Sequence, residues 1–424
     1  MSQPASRPAQ VSWAIYDWAN SGFSVVIVTF VFATYFSQAI AADPVTGQAQ
    51  WGWAMTASGI VIALTAPLLG AIGDAWGRRK PWLFGFTWAS IAGCFVLWYA
   101  RPDADYILFA LIVAGLTNFA FETAQVFYNA MLPEVAGRER IGRISGWSWS
   151  LGYFGGIVCL ALVLFAFVQR EEPLLGLDRD QAENIRIAAP LVGVWFLVFS
   201  LPLLFFTPDR RPTGRRLPEA ARLGVHKLWD TLRNIRRYRH IAHFLVARLF
   251  YTEGLNTLFL FGGIYAAGTF GMVMGQVVMF GILLNVTAGI GAVAFAWIDD
   301  WIGAKRTILI ALCGLMLFGL AAVLITDVTL FWIVGAALGL FVGPAQAASR
   351  SLMGRIAPAE LRTAMFGLYA LSGKITAYMG PFVLGTVTWL ADSQRVGVAT
   401  ILLFWLVGAL LLLALRDPDR APEA

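Results

Sequence analysis

The sequence predicts an all-α membrane protein: twelve transmembrane helices in two pseudo-symmetric six-helix bundles. Three observations predict it. Of 424 residues, 58% are hydrophobic and only 13% charged, against roughly 25% charged in a soluble domain, so too few polar side chains exist to cover a water-facing surface. Twelve segments are apolar over the roughly 20 residues that a helix needs to cross hydrocarbon. Finally, two stretches of the first half recur in the second at nearly equal intervals.

The twelve segments lie at about 12–41, 50–72, 81–100, 106–131, 146–169, 188–206, 241–267, 272–297, 306–325, 328–353, 364–390 and 397–415. They must be helices because lipid offers no partner to a free backbone amide. The 42 glycines and 18 prolines fit membrane helices, where small side chains let backbones approach. The first apolar run is too long for a signal peptide and lacks a small-residue cleavage site, so it reads as a retained span.

Basic residues set the expected orientation. With both termini in the cytoplasm, 24 of the 31 Lys and Arg fall on inner segments, Arg416 and Arg420 among them. Five fall outside (Arg101, Arg170, Arg179, Arg186 and Arg395), and Arg248 and Lys374 lie within spans. The net charge of +6 is thereby explained without a nucleic-acid partner, and the expected location is the cell inner membrane.

The expected units are 1–206, a cytoplasmic basic linker at 207–240, and 241–424. In the linker, Glu219 to His240 carries an apolar stripe of Leu228, Leu232 and Ile235 with Trp229 beside it, among many arginines. This pattern suits a helix on the anionic inner leaflet, with a plain tether as the blander reading.

The repeat is carried by two motifs. Gly70, Asp74, Gly77, Arg78, Arg79 and Lys80 follow span two; Asp300, Gly303, Lys305 and Arg306 follow span eight. Asp74, Gly77, Arg79 and Lys80 match these last four at a constant offset of 226. Ala124, Gln125, Glu139, Gly146 and Gly152 meet Ala345, Gln346, Glu360, Gly367 and Gly373 at an offset of 221. Glycines permit tight turns. An aspartate there can face a helix N-terminus or an arginine across the gap between halves, forming a contact that breaks when that side opens. These loops are the expected conformational switch.

The G-x-x-x-D-x-x-G-R-R-K spacing, its weaker copy and the twelve spans together resemble the major facilitator superfamily. Further strings narrow the resemblance: Tyr16-Asp17-Trp18-Ala19-Asn20-Ser21 in span one, Pro344-Ala-Gln346-Ala-Ala-Ser349-Arg350-Ser351 in span ten, and Phe366-Gly367-Leu-Tyr369-Ala-Leu-Ser372-Gly373-Lys374 with Gly380-Pro381 in span eleven. These resemble the vacuole-effluxer-like branch, which includes fungal vacuolar amino-acid exporters. The resemblance implies a secondary transporter working by alternating access, usually as a monomer, on small polar solutes, with amino acids first and sugars or organic acids second. Export is implied by the resemblance alone. Ala296 and Ala304 replace the glycine and first basic residue of the second loop copy, and Ala364 stands where the branch often has an acid.

Polar residues at membrane depth are costly and usually face a cavity or a partner. Asp17, Asn20, Ser21 and Ser24 share one face of span one; Asn118, Glu122, Gln125 and Asn129 share one face of span four. Glu253, Asn256 and Thr257 share a face of span seven, Gln346 and Arg350 of span ten, and Tyr369, Ser372 and Thr376 of span eleven. The expected substrate and proton pathway comprises Asp17, Asn20, Ser21, Asn118, Glu122, Gln125, Glu253, Asn256, Gln346, Arg350 and Tyr369. For Asp17, lining the path and locking helices together stand as equal readings. Glu122 and Glu253 are the candidate proton carriers, and uniport stays open. Arg350 suits a substrate carboxylate, and a pairing with Glu122 or an inner gate equally; Arg248 and Lys374 are expected to pair with neighbours.

An enzyme would need a cluster of acid, base, nucleophile or metal ligands. His226, His240 and His243 lie in or beside the linker, and Cys94, Cys159 and Cys313 sit singly in apolar runs. No catalytic residue, metal or cofactor is expected. A non-transporting receptor or lipid-handling protein on the same scaffold is the remaining alternative.

Overall fold

The computed structural model describes residues 5–170, 174–374 and 376–415. Among them, ten helices are long and apolar enough to cross a membrane: Arg7–Ile40, Pro44–Trp76, Ala104–Ala136, Arg138–Val168, Glu183–Phe206, Arg236–Phe270, Gly275–Ile302, Ala304–Leu324, Val328–Ile356 and Gln394–Ala414. Lys80–Leu97 fills the third place. The eleventh is divided into Arg362–Lys374 and Met379–Ala391. These twelve are called spans one to twelve below. Most run a few residues beyond the apolar windows, because polar ends of a membrane helix leave no hydropathy signal. Arg416 and Arg420 lie outside the described residues.

The division of span eleven corrects the expectation of one helix over 364–390. Pro381 has no amide hydrogen and its ring crowds the carbonyl four residues earlier. Residues 376–378 form a turn instead, and the second piece starts afresh at Met379. Span one also departs from a plain α-helix. It widens into π turns at Phe23–Phe30 and Phe36–Ile40, which apolar periodicity does not reveal.

Two apolar clusters organise the interior. One runs from Trp13 to Leu203. The other runs from Ile241 to Leu415 and takes in Ile62, Ala66, Val126 and Ala130 of spans two and four. Those two spans therefore pack across onto the second half. The linker holds a helix at Leu217–Arg233, shorter than the expected 219–240, followed by a 3-10 turn at Ile235–Tyr238. Its buried face is Ala220, Gly224 and Thr231, and a Cβ on Gly224 would stand 2.8 Å from the Ala71 carbonyl. The helix thus rests on span two through its small residues. Trp229 and Leu232 of the apolar stripe remain exposed.

Candidate functional site

The turn after span two and the turn after span eight make corresponding contacts, although Gly77 and Gly303 differ in ψ, at -16° and 152°. Gly77 and Gly303 both adopt positive φ, 92° and 91°, a conformation that favours glycine. The aspartate before each turn reaches across to the start of a helix in the other half. Asp74 accepts from the Ala364 amide at 3.0 Å and the Thr363 hydroxyl at 2.7 Å. Asp300 accepts from the Gly142 and Arg143 amides at 2.8 and 3.2 Å. A carboxylate on unpaired first-turn amides is favoured by the hydrogen bonds and by the helix dipole. Ala364 thus meets Asp74 through its backbone, with no acidic side chain needed there.

Glycines bring the halves together beside these contacts. A Cβ on Gly146 would stand 2.5 Å from the Ala292 carbonyl oxygen, and one on Gly367 would stand 2.6 Å from the Ala66 carbonyl oxygen. Residues 66 and 292 are 226 apart, and 146 and 367 are 221 apart, the two intervals of the sequence repeat. One match needs revision. Lys80 donates to the Leu204 and Thr207 carbonyls, and its structural counterpart is Lys305, which donates to the Leu413 and Leu415 carbonyls. The basic residues therefore correspond one position earlier than the constant offset places them.

Ion pairs reinforce this layer. Arg79 is buried and joins Glu134 at 2.5 Å, the Ala130 carbonyl and the Thr363 hydroxyl. Glu134 in turn pairs with Arg362 at 3.0 Å. On the other copy, Arg355 pairs with Asp299 at 2.8 Å and Asp300 at 3.6 Å. Arg78 stays at the surface, 3.6 Å from Asp209 of the linker.

A second layer lies deeper. Asn129 precedes Glu134 on span four by five residues, about 7 Å along the axis. Here Arg350 donates to Asp17 at 2.8 Å, to Asn129 at 3.3 Å, and to the Ser145 hydroxyl and carbonyl at 3.0 and 2.7 Å. Its guanidinium sits over the rings of Trp13, Trp149 and Tyr128 at 5.1, 5.4 and 5.8 Å. Asp17 also accepts from Asn20 and Ser148, and Ser21 bonds back to the Asp17 carbonyl. Asp17 and Arg350 are buried and tie span one to span ten.

The third layer is at mid-span. Glu122 lies near the centre of Ala104–Ala136 and accepts from Lys374 of span eleven at 2.6 Å. The pair keeps side-chain exposures of 22% and 33%, so solvent reaches it. Tyr153 donates to Gln346 at 2.5 Å, again across the halves. Glu253, at the middle of Arg236–Phe270, is 1% exposed. It accepts from the Gly380 amide at 2.7 Å and the Thr376 hydroxyl at 3.4 Å, and no Lys or Arg pairs with it among the described residues. It holds the restarted helix of span eleven by an early amide. Arg248 lies 3.5 Å from the centre of the Tyr369 ring and donates to the Tyr369 carbonyl and Ser372.

Other expected pathway residues sit elsewhere. Asn118 is buried and donates to Ser58 of span two at 3.1 Å. Gln125 is half-buried and Asn256 is exposed. Sequence reading missed Ser145, Ser148, Glu134 and Thr363. The spacing of Ser145, Ser148 and Gly152 on one face of span five was the available signal.

Twelve spans in matched halves, locked by carboxylates at helix starts along one face, define a transporter of the major facilitator superfamily. Solved structures share the fold: FucP in its outward conformation has a TM-score of 0.73 at 14% identity, covering 96% of this chain and 97% of that one. The human organic anion transporter MFSD10 has a TM-score of 0.71 at 16% identity, covering 97% and 100%. The chain belongs to the family described as vacuole effluxer Atg22 like, whose sequence profile matches residues 54–423. It is 25% identical to an uncharacterized MFS-type transporter, YxiO, of Bacillus subtilis (strain 168), over 95% of this chain and 93% of the relative. It is 23% identical to Autophagy-related protein 22 of Kluyveromyces lactis, over 78% of this chain and 71% of the relative.

Proposed function

We propose that this multi-pass protein moves a small zwitterionic solute of amino-acid type by alternating access, with Glu122 and Lys374 as its binding pair. The observation that carries the reading is that pair: a carboxylate and an ammonium from opposite halves, 2.6 Å apart at mid-span and still solvated. A zwitterion can place its ammonium on Glu122 and its carboxylate on Lys374. Binding then exchanges one ion pair for two, and the halves become joined through the solute. A neutral sugar offers no charge to either group.

Contacts between the halves run from the loop face to mid-span, so the loop face is closed. With both termini and the linker in the cytoplasm of the cell membrane, this is the outward-facing state of a monomer. Opening the loop face would separate Asp74, Asp300 and Asp17 from their partners and admit solute from the cytoplasm. Export as the physiological direction is supported by the family description. Glu253 carries the coupling proton in this reading, because it is buried beside a helix break without a basic partner among the described residues, whereas Glu122 already has one.

The test is a thermal-shift screen of purified protein against amino acids, sugars and organic acids, followed by pH-driven flux of the hits in proteoliposomes. Amino acids are expected to shift the melt of the wild type and not of Glu122→Gln. Glu253→Gln is expected to retain counterflow and lose its dependence on a pH gradient. A sugar hit with no amino-acid hit refutes the substrate class, and pH-driven flux that survives Glu253→Gln refutes the proton carrier.

A further inference from the structure

A groove of about 440 Å³ lies between spans one and five at the loop face, lined by Arg7, Arg140 and Arg143 at one end and by Val11, Ile144, Trp147 and Leu151 among others. We propose that this groove binds one anionic glycerophospholipid from the adjoining leaflet, with the phosphate on the three arginines and an acyl chain along the apolar wall.

Three features argue for that occupant. The first is charge. No acidic residue lines the groove, and among the described residues no acid pairs with Arg7 or Arg140. Arg7 opens span one and Arg140 and Arg143 stand at the start of span five, so two helix N-terminal ends add their partial positive charge. The second is the apolar wall. Val11 is 56% and Trp147 37% exposed, and Arg143 to Leu151 spans about 12 Å of helix. That is a length suited to acyl carbons and of no use to free phosphate. The third is position. The groove opens beside the helix ends, where headgroups lie, and a tryptophan at its flank suits the interface. A choline headgroup would set its own cation against the arginines, which selects a lipid of net negative charge.

The site also adjoins the gate. Arg143 lines the groove and its Nε lies 3.4 Å from Asp300 of the other half. Its guanidinium is 6.0 Å from the centre of the Trp297 ring. One side chain therefore connects the lipid with the contact that closes the loop face.

The experiment uses the full-length protein in detergent, titrated with dioleoylphosphatidylglycerol, dioleoylphosphatidylcholine or inorganic phosphate. Lipid retention is read by native mass spectrometry and stability by thermal melting. Phosphatidylglycerol is expected to be retained as a single copy and to raise the melting temperature, while phosphatidylcholine and inorganic phosphate do neither. Arg7→Gln with Arg140→Gln should weaken retention by roughly thirtyfold, from about fivefold per charge at a membrane surface. The lysine pair Arg7→Lys with Arg140→Lys should restore most of it. Arg236→Gln with Arg237→Gln in the linker, equal in charge removed, should leave retention unchanged. Equal retention of both lipids, stabilisation by phosphate alone, or undiminished retention in the Arg7/Arg140 glutamine variant would each overturn the proposal.

Discussion

Asp17–Arg350 and Glu122–Lys374 are the same chemistry in two settings. Each joins a carboxylate of the first half to a cation of the second, at 2.8 and 2.6 Å. The side chains of the first pair are 11% and 3% exposed, and Arg350 donates further hydrogen bonds to Ser145 and Asn129 and has three aromatic rings around it. In the second pair Glu122 is 22% exposed, twice Asp17, and Lys374 is 33% exposed, eleven times Arg350. A buried, fully bonded pair costs much to break; an exposed pair contributes little to stability and is free to exchange partners. Burial, more than the pairing itself, separates the Asp17–Arg350 lock from the proposed binding pair.

That comparison can be broken at several points. Asp17→Asn should have the largest effect on stability, because it leaves the Arg350 charge buried without its counter-ion, at about 3–5 kcal/mol. Thermal melting checks it, and Asp17→Asn with Arg350→Gln should recover a good part of the loss. Gly146→Leu and Gly367→Leu each push a side chain against backbone of the other half. Overpacking by about 1–3 kcal/mol should shift the protein toward the open loop face and cut flux on the order of tenfold or more. Cysteine labelling at the loop face should rise equally in the two variants, since their contacts are equivalent. Asp74→Asn and Asp300→Asn each replace a charged acceptor of two hydrogen bonds across the halves by a neutral one, at a cost of about 1.5–3 kcal/mol. Equal losses of flux from both would sharpen the two-copy picture, and a loss from only one would limit it. Glu122→Gln should change the melting free energy by no more than about 1 kcal/mol while abolishing solute binding.

The spans and the repeat were legible because hydropathy and glycine spacing are local properties. The 226 and 221 intervals reappear as the Ala66–Gly367 and Ala292–Gly146 contacts. The break in span eleven was written at Pro381, yet proline is also tolerated inside membrane helices, so the residue alone did not decide. The equivalence of Lys80 with Lys305 was hidden because a turn can absorb one residue while the amine reaches the same helix end. Partner choice was the least legible. Asp17 read equally as a lock or a lining residue and Glu122 and Glu253 as cavity acids, and only packing gave them an arginine, a lysine and a helix start.

Solute counterflow in proteoliposomes tests the central claim most directly, with a labelled neutral amino acid from the thermal-shift hits and its deaminated analogue. Wild type should exchange the amino acid and reject the analogue, while Glu122→Gln and Lys374→Gln, both folded, should lose exchange at least about tenfold, the worth of one good charge contact. Exchange at the wild-type rate in both variants would contradict the assignment of this pair as the place where solute binds.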